Sequence, residues 1–229
     1  MTRWFYLGVL VVVAAFAVSG YVYVYKFGEL PEKIPVHWNI HGVPDRVVDK
    51  QDAWMNFWIF PPVMAGFLLL TLVLPWLSPK SFSIEPFRDT YGYVMTLVQF
   101  LFGYIHVLLI WNSFHPEAPA IRPLIGGMCI FFALMGNVLG RVRRNFWVGI
   151  RTPWTLASDK VWNATHRLGA WLLTAFGVVG AIVVIAGVSL IGCTIVLIAG
   201  IFFAMLVPIG YSLVLYKRLE RQGTLNDSP

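Results

Sequence analysis

The chain has 229 residues, of which 58% are hydrophobic and only 12% are charged. An average soluble domain carries about twice that share of charged residues, so this composition excludes an ordinary soluble protein. The formal net charge is +6, but the basic residues lie at the ends of long apolar runs, where charges set the orientation of membrane helices. The composition therefore indicates a multi-pass membrane protein, and we expect no direct contact with nucleic acid.

The apolar runs are long enough for six crossings of a hydrocarbon core about 30 Å thick. The first run also resembles a cleaved signal peptide, because Arg3 precedes it, but its tyrosine-rich far end favours a retained helix. Pro61 and Pro62 predict a kink in the second helix. The uncharged stretch 168–216 is too long for one crossing and predicts two helices with a turn between Gly187 and Gly192. The predicted helices are 4–25, 53–77, 91–111, 122–139 and the two within 168–216.

We therefore predict an all-α integral membrane protein with six transmembrane helices and both termini in the cytoplasm. The side that holds both termini carries 12 of the Lys and Arg residues and the other side carries 5, which is the bias expected of a cytoplasmic side. The predicted organisation has three parts. Residues 1–90 form helices 1 and 2 with an extracytoplasmic loop over 26–52, residues 91–216 form helices 3–6 with a cytoplasmic loop over 137–167, and residues 217–229 form a short cytoplasmic tail.

The first polar loop contains the string PVHWNIHGVPD over residues 35–45, in which prolines and a glycine interrupt regular structure. His37 and His41 are four residues apart and Asp45 is near, and these residue types bind zinc. Trp38, however, stands where a metalloprotease motif carries glutamate. The other interpretation is a structured partner-binding loop with Trp38 at the membrane interface. We expect no metal and no cofactor, and the candidate binding residues of this loop are His37, Trp38, Asn39, His41 and Asp45.

Two polar residues lie inside the third predicted helix. Gln99 and His106 are two turns apart on one face of that helix, and an ionisable group in a membrane helix is a candidate for function. They belong to a pathway for protons or substrate, or they form hydrogen bonds with a neighbouring helix, since histidine stays neutral near pH 7 at modest cost.

The polar segment 137–167 holds six of the seventeen Lys and Arg residues. Gly149 is expected to be a flexible hinge, and Thr152 or Thr155 is expected to cap a helix that runs through Trp162. On that helix Trp162, His166 and Arg167 are predicted to share one face. Arg143 and Arg144 are interpreted as orientation charges. The candidate residues of a cytoplasmic recognition surface are Asn137, Arg141, Asn145, Arg151, Thr152, Pro153, Trp154, Trp162, His166 and Arg167; an amphipathic helix anchored by tryptophans at the membrane surface is the alternative.

Two strings in the chain resemble a known family. The pattern NxxG at 137–140, NxxxGIRTPWTL at 145–156 and WxxTH at 162–166 resembles the signature of SdpI-type bacterial membrane proteins. The pattern PxHWNxxGxPD at 35–45 resembles a small domain of unknown function that often precedes it. The resemblance implies a non-enzymatic protein that gives immunity to a secreted peptide toxin. The toxin would be bound at the membrane or outer side, and its presence would be relayed to a transcriptional repressor at the inner side.

Two other classes of protein stay open at this point. A small-molecule or proton-coupled transporter would use His106 and Gln99 in a central path. A metal-dependent membrane hydrolase would use His37 and His41 with Asp45.

Overall fold

A computed structural model describes residues 2–225 of the chain. Within them, six helical segments are long and apolar enough to cross a membrane, and the prediction of a six-helix membrane protein is confirmed. The elements in chain order are α1 (Arg3–Tyr21), β1 (Lys33–Trp38), β2 (Pro44–Asp49), α2 (Trp54–Trp58), α3 (Phe60–Leu77), α4 (Arg88–Phe114), α5 (Ile121–Leu139), α6 (Pro153–Ala157), α7 (Asp159–Ile185) and α8 (Leu190–Gln222). Helix α8 extends into the predicted tail 217–229, of which residues 226–229 lie outside the described part.

The breaks between helices follow from local sequence. The second span is interrupted at Ile59, and Pro61 and Pro62 then occupy the first turn of α3, where the missing N–H groups have no helical partner. The turn between α7 and α8 covers residues 186–189 and uses Gly187 at φ +75°. Ser189 then accepts a hydrogen bond from Gly192 N and caps α8.

The spans form two bundles that meet along α4 and α5. Helices α1, α3 and α4 pack together, and α5, α7 and α8 form the second group, in which α5 packs most extensively against α7. The backbones of these two helices approach closely at glycines. A Cβ atom at Gly136 would lie 2.5 Å from Thr174 N, and one at Gly177 would lie 2.4 Å from Ala133 N. Only glycine fits at such positions, because the obstacle is main chain.

Contacts between loops divide the molecule into two faces, which we call the motif face and the hairpin face. On the motif face Trp147 Nε1 donates to Ser78 Oγ at 2.8 Å, and Ser158 Oγ donates to the Leu225 carbonyl at 3.2 Å. The loops 78–87 and 140–158 and the segment around Leu225 therefore share this face. The hairpin of β1 and β2 lies on the other face, together with the turns 115–120 and 186–189. The excess of basic residues predicts that the motif face is cytoplasmic.

The hairpin has a residue-specific construction. Strands β1 and β2 pair antiparallel, and the Asn39 side chain accepts hydrogen bonds from His41 N and Val43 N at 2.9 and 3.1 Å, which closes the turn. Gly42 completes the turn at φ +76°. Ile34 of β1 is fully buried in a core cluster that includes Phe57 and Ile110, so the hairpin is fixed to the membrane helices.

The orientation is testable by cysteine labelling. Ile40 at the hairpin tip is 62% exposed, Arg143 on the motif face is exposed, and the native Cys129 and Cys193 are buried. We expect a membrane-impermeant maleimide to label Ile40→Cys in intact cells and to label Arg143→Cys only after the cells are permeabilised. Labelling of Arg143→Cys in intact cells would reverse the assignment of the two faces.

The glycine contact between α5 and α7 predicts a specific loss of stability. In Gly177→Ala the new methyl group meets the backbone of α5, and such overpacking costs about 1–3 kcal/mol. Gly210→Ala in α8 is the matched control, because no atom lies within 4 Å of its Cβ position. Thermal unfolding in detergent micelles should show a lower midpoint for Gly177→Ala and an unchanged or higher midpoint for Gly210→Ala. Equal midpoints would contradict the close contact.

Candidate functional site

The motif-face loop, residues 140–158, is held by a fully buried asparagine. Asn145 Nδ2 donates to the Arg143 and Val148 carbonyls at 2.9 and 2.8 Å, and its Oδ1 accepts from Trp147 N and Val148 N at 2.7 Å each. This arrangement uses both donors and both lone pairs of the amide. Asn145 therefore shapes the loop from within and has no capacity left for a ligand.

A stacked pair of aromatic rings from α7 supports the same loop. Trp162 and His166 are both fully buried, and their ring centroids are 4.0 Å apart with an interplanar angle of 17°. Trp162 Nε1 donates to the Val142 carbonyl at 2.7 Å. The pair thus joins the first two turns of α7 to the backbone of the loop.

The hydrogen bonds of His166 define its tautomer. Ile150 N lies 3.0 Å from Nε2, and because a backbone N–H only donates, Nε2 must be the unprotonated acceptor. Nδ1 then carries the proton and donates to the Trp162 carbonyl at 2.8 Å. Both ring nitrogens are occupied by main-chain groups, so His166 acts as a neutral structural imidazole in this arrangement.

Gly149 explains why the loop passes directly over this ring. A Cβ atom at Gly149 would lie 2.3 Å from His166 Nε2 and 3.3 Å from Trp162 Cζ2, and its φ is +115°. The sequence suggested a flexible hinge at Gly149. The structure instead shows a position where close approach to the rings and the backbone angle both require glycine.

Threonines close the far end of the loop. Thr152 caps α6 by accepting from Thr155 N at 3.2 Å, while Thr155 Oγ1 accepts from Thr152 N at 2.9 Å, which is a reciprocal capping box. Thr152 Oγ1 also lies 3.1 Å from Ser212 Oγ of α8. The predicted cap at Thr152 is present, but it begins the short helix α6, and the longer helix α7 starts separately after Ser158.

Two arginines of the loop make structural contacts. Arg144 donates through Nε to Asp159 Oδ1 at 2.7 Å and through Nη1 to the Leu156 carbonyl at 2.7 Å. Its role is therefore more specific than the orientation charge that the sequence suggested. Arg151 is exposed, and its Nη1 donates to the Phe146 carbonyl.

The structure thus separates the predicted recognition residues of this face into three groups. Asn145, Thr152, Trp162 and His166 are buried, and Trp154 is half-buried. Arg141, Arg151 and Pro153 are exposed on the loop. Asn137 and Arg167 are exposed where α5 meets α7 and line one groove there. Arg167 consequently does not share the buried face of Trp162 and His166, because it lies on the side of α7 that is turned away from the loop.

On the hairpin face, the predicted residues have different roles. His37 Nδ1 lies 2.6 Å from Asp45 Oδ1 in an exposed pair, and exposed His41 contributes its backbone N–H to the Asn39 turn. Trp38 lines a small cavity together with residues of α4 and α5 that include Leu108, Asn112 and Ile121. Among residues 2–225, no group of three or more His, Cys, Asp or Glu side chains is arranged to hold a metal ion.

The intramembrane polar residues bond to neighbouring helices. Gln99 Nε2 donates to the Met64 carbonyl of α3 at 3.0 Å, and His106 Nε2 lies 3.0 Å from Ser19 Oγ of α1. Ser19 Oγ in turn donates to the Phe57 carbonyl of α2 at 2.6 Å. Gln99 and His106 are each 1% exposed, so they cross-link the first bundle from its centre.

Several partners in these networks were missed at the level of sequence. Ser212 lies in an apolar span and was not singled out, although a serine in such a span indicates a buried hydrogen bond. Asp159 is the only acidic residue between Glu117 and Glu220 and has several Arg and Lys residues near it in sequence. An ion pair of Asp159 with one of these basic residues was therefore predictable. The main-chain acceptors at Val142 and Met64 carry no signal in the sequence.

Comparison with known proteins finds two family models and one relative that match segments of this chain. The model of the SdpI/YfhL protein family matches residues 141–212, which include the motif-face loop and Ser212. The model of a domain of unknown function (DUF1648) matches residues 10–65, which include the hairpin. A curated relative, Immunity protein SdpI of Bacillus subtilis (strain 168), is 27% identical over 176 residues, covering 77% of this chain and 79% of that protein. No solved structure matches the chain.

The fold and the loop define a multi-pass protein of the cell membrane with a hydrogen-bonded polar loop on one face and a β-hairpin on the other. With both matched segments in their expected places, the chain is similar to SdpI-type bacterial membrane proteins, and the resemblance carried by its two motifs is confirmed.

The contact between Gly149 and His166 gives a prediction for the loop. Gly149→Ala adds a clash with a buried ring to an unfavourable backbone angle, and should lower the free energy of unfolding by more than about 2 kcal/mol. Gly187→Ala, at φ +75° with no atom within 4 Å of the Cβ position, isolates the backbone cost of about 1–2 kcal/mol.

Limited trypsin digestion in micelles provides the measurement specific to the loop. Cleavage after Arg151 should accelerate in Gly149→Ala and stay at the wild-type rate in Gly187→Ala. If the two variants are cleaved at the same rate, the ring contact does not hold the loop.

Proposed function

We propose that the chain is a membrane immunity protein that protects a bacterial cell against a secreted peptide toxin by binding, and that it relays the presence of the toxin to a cytoplasmic repressor. The observation that supports immunity is the similarity to Immunity protein SdpI over 77% of the chain. The two family models match segments that contain the hairpin and residues 141–158 of the motif-face loop. The relay is supported by the way each face is built.

On the motif face, the buried network presents a fixed basic surface. Arg141, Arg151 and Pro153 are exposed on a backbone that Asn145 and the Trp162–His166 pair hold in place. A preorganised surface loses less conformational entropy when it binds. Its positive charge is complementary to an acidic surface on a cytoplasmic protein. In this proposal that protein is the repressor.

On the hairpin face, three apolar side chains are exposed. Ile40, Val43 and Val47 are 62%, 56% and 51% exposed, and the first two lie in the turn of the hairpin. Such residues on the outer side suit an apolar peptide that arrives through the membrane surface. The exposed pair of His37 and Asp45 lies at the base of the same turn and adds a polar contact.

The hairpin is also connected to the helices that would have to respond. Asn56 Nδ2 lies 3.4 Å from the Pro35 carbonyl of β1 and 3.3 Å from Ser113 Oγ of α4. Trp38 lines a cavity with residues of α4 and α5, where the two bundles meet. A toxin that binds the hairpin better in one packing of the bundles than in another would shift the population of the two, and such differential affinity is the requirement for a relay.

Complementation tests this function. We expect the wild-type chain to restore growth of Bacillus subtilis cells that lack Immunity protein SdpI, in the presence of the toxin against which that protein protects. Arg141→Ala with Arg151→Ala should insert normally and keep the protection, because both side chains are exposed and lie away from the hairpin, but should lose the response of a reporter gene controlled by the repressor. Arg221→Ala, an exposed charge on the same face outside the loop, is the control and should protect fully and keep the reporter response.

The outcomes separate the parts of the proposal. Wild-type growth no better than that of cells without any immunity protein would refute immunity to this toxin. Loss of protection by the double variant, or an unchanged reporter response, would instead contradict the assignment of the basic loop surface to the relay.

A further inference from the structure

A groove lies at the motif-face end of α5 and α7, and the function proposed above does not use its residues. Its volume is about 270 Å³. It is lined by Gly136, Asn137, Gly140, Arg167, Ala170, Trp171 and Thr174. None of these residues is acidic, so the charge of Arg167 is unopposed within the groove.

The arginine of this groove is not used by the protein itself. Arg167 is exposed and makes no hydrogen bond or ion pair with the residues between 2 and 225. Arg144 on the same face, in contrast, is paired with Asp159 and a carbonyl. A guanidinium offers five donors in a planar fork that matches two oxygens of a phosphate.

The depth of the groove matches the phosphate layer of a bilayer. From Leu168 to Ile185 helix α7 has no charged residue, and at 1.5 Å per residue this length spans roughly 27 Å, close to the thickness of the hydrocarbon core. Arg167 is therefore the last charge before the apolar interior. Trp171, one turn deeper, is 77% exposed, as expected for an aromatic side chain at the membrane interface.

The groove continues into an apolar surface along both helices. Leu134 and Ile130 follow Asn137 at helical spacing on α5, and Val178 follows Trp171 two turns later on α7. These three side chains are 41%, 56% and 47% exposed. A phosphate bound at Arg167 would thus have a path for an acyl chain directly below it. Gly140 leaves space beside the arginine, because a Cβ there would lie 3.9 Å from Arg167 Cγ.

From this combination of an unpaired guanidinium, its depth and the apolar continuation, we infer that the groove is a binding site for one anionic phospholipid. The phosphate lies against Arg167 and Asn137, the headgroup lies beside Trp171, and an acyl chain follows Leu134 and Val178. A lipid with a net negative charge is preferred over a zwitterionic one, because the groove lining supplies no acidic partner for a cationic headgroup. The inference rests on the fold alone and is independent of the immunity function.

Native mass spectrometry of the full chain, released from micelles with phosphatidylglycerol or phosphatidylcholine, tests the site. The wild-type chain should retain one phosphatidylglycerol in preference to phosphatidylcholine. Arg167→Gln should weaken this retention about tenfold or more, since it removes a charge-assisted contact. Gly140→Leu should weaken it with the arginine intact, because the new side chain fills the groove. Arg143→Gln removes an exposed charge of the same face outside the groove and should bind as the wild type does.

Three results would overturn the inference. If Arg167→Gln and Gly140→Leu both retain phosphatidylglycerol as the wild type does, the groove is not the binding site. An equal loss in Arg143→Gln would show a diffuse attraction to the basic face instead of a site. Full displacement of the lipid by inorganic phosphate at millimolar concentration would show that the groove recognises a free anion and gains nothing from the acyl chain.

Discussion

The motif-face loop depends on the imidazole of His166, because that ring bonds the main chain on both of its sides. Nε2 accepts from Ile150 in the loop, and Nδ1 donates to the Trp162 carbonyl in α7. The loop can approach the ring only because residue 149 has no side chain. One buried ring, one glycine and one tryptophan therefore determine the path of the backbone from which the exposed arginines project. Leaving either ring nitrogen without its partner would cost the desolvation of a buried polar group.

The two faces are stabilised by different physical means. The motif-face loop contains little regular structure, so its backbone groups are satisfied by side chains such as Asn145 and Thr155, each of which serves several at once. The hairpin satisfies its backbone mainly by strand pairing, with the Asn39 side chain at the turn and the Asn56 side chain at the Pro35 carbonyl. The hairpin is anchored instead by apolar residues, Ile34 in the first bundle and Trp38 between the bundles. A movement of the bundles would therefore reach the hairpin through packing and the loop through hydrogen bonds.

The spans of this protein were predictable from sequence because hydropathy and helix length depend on the bilayer, which imposes the same requirement on every helix. The roles of the polar residues were less predictable. Trp162, His166 and Asn145 have the composition of a binding site, but their polar atoms are occupied by main-chain groups whose positions no sequence pattern reveals. Arg167 was grouped with them by its closeness in sequence, yet it projects from another side of α7. A helical pattern indicates which residues share a face, but the neighbouring elements determine which face is buried.

The rigidity of the loop restricts which parts of the protein can move relative to one another. With Asn145, Thr152 and His166 all bonded, the loop has few internal contacts that can change alone, so it should move as one body with α6 and the first turns of α7. The glycines at 136 and 177 bring the backbones of α5 and α7 together, and this close packing extends the same body into the membrane. Between the bundles, α4 and α5 pack less extensively than α5 and α7 do. Tyr104 Oη donates to the Pro123 carbonyl at 2.6 Å, and Trp38 lines a cavity between α4 and α5 at the hairpin end. A relay of the proposed kind would therefore act at the interface between α4 and α5, because the two bundles meet there and the hairpin lies at one end of it.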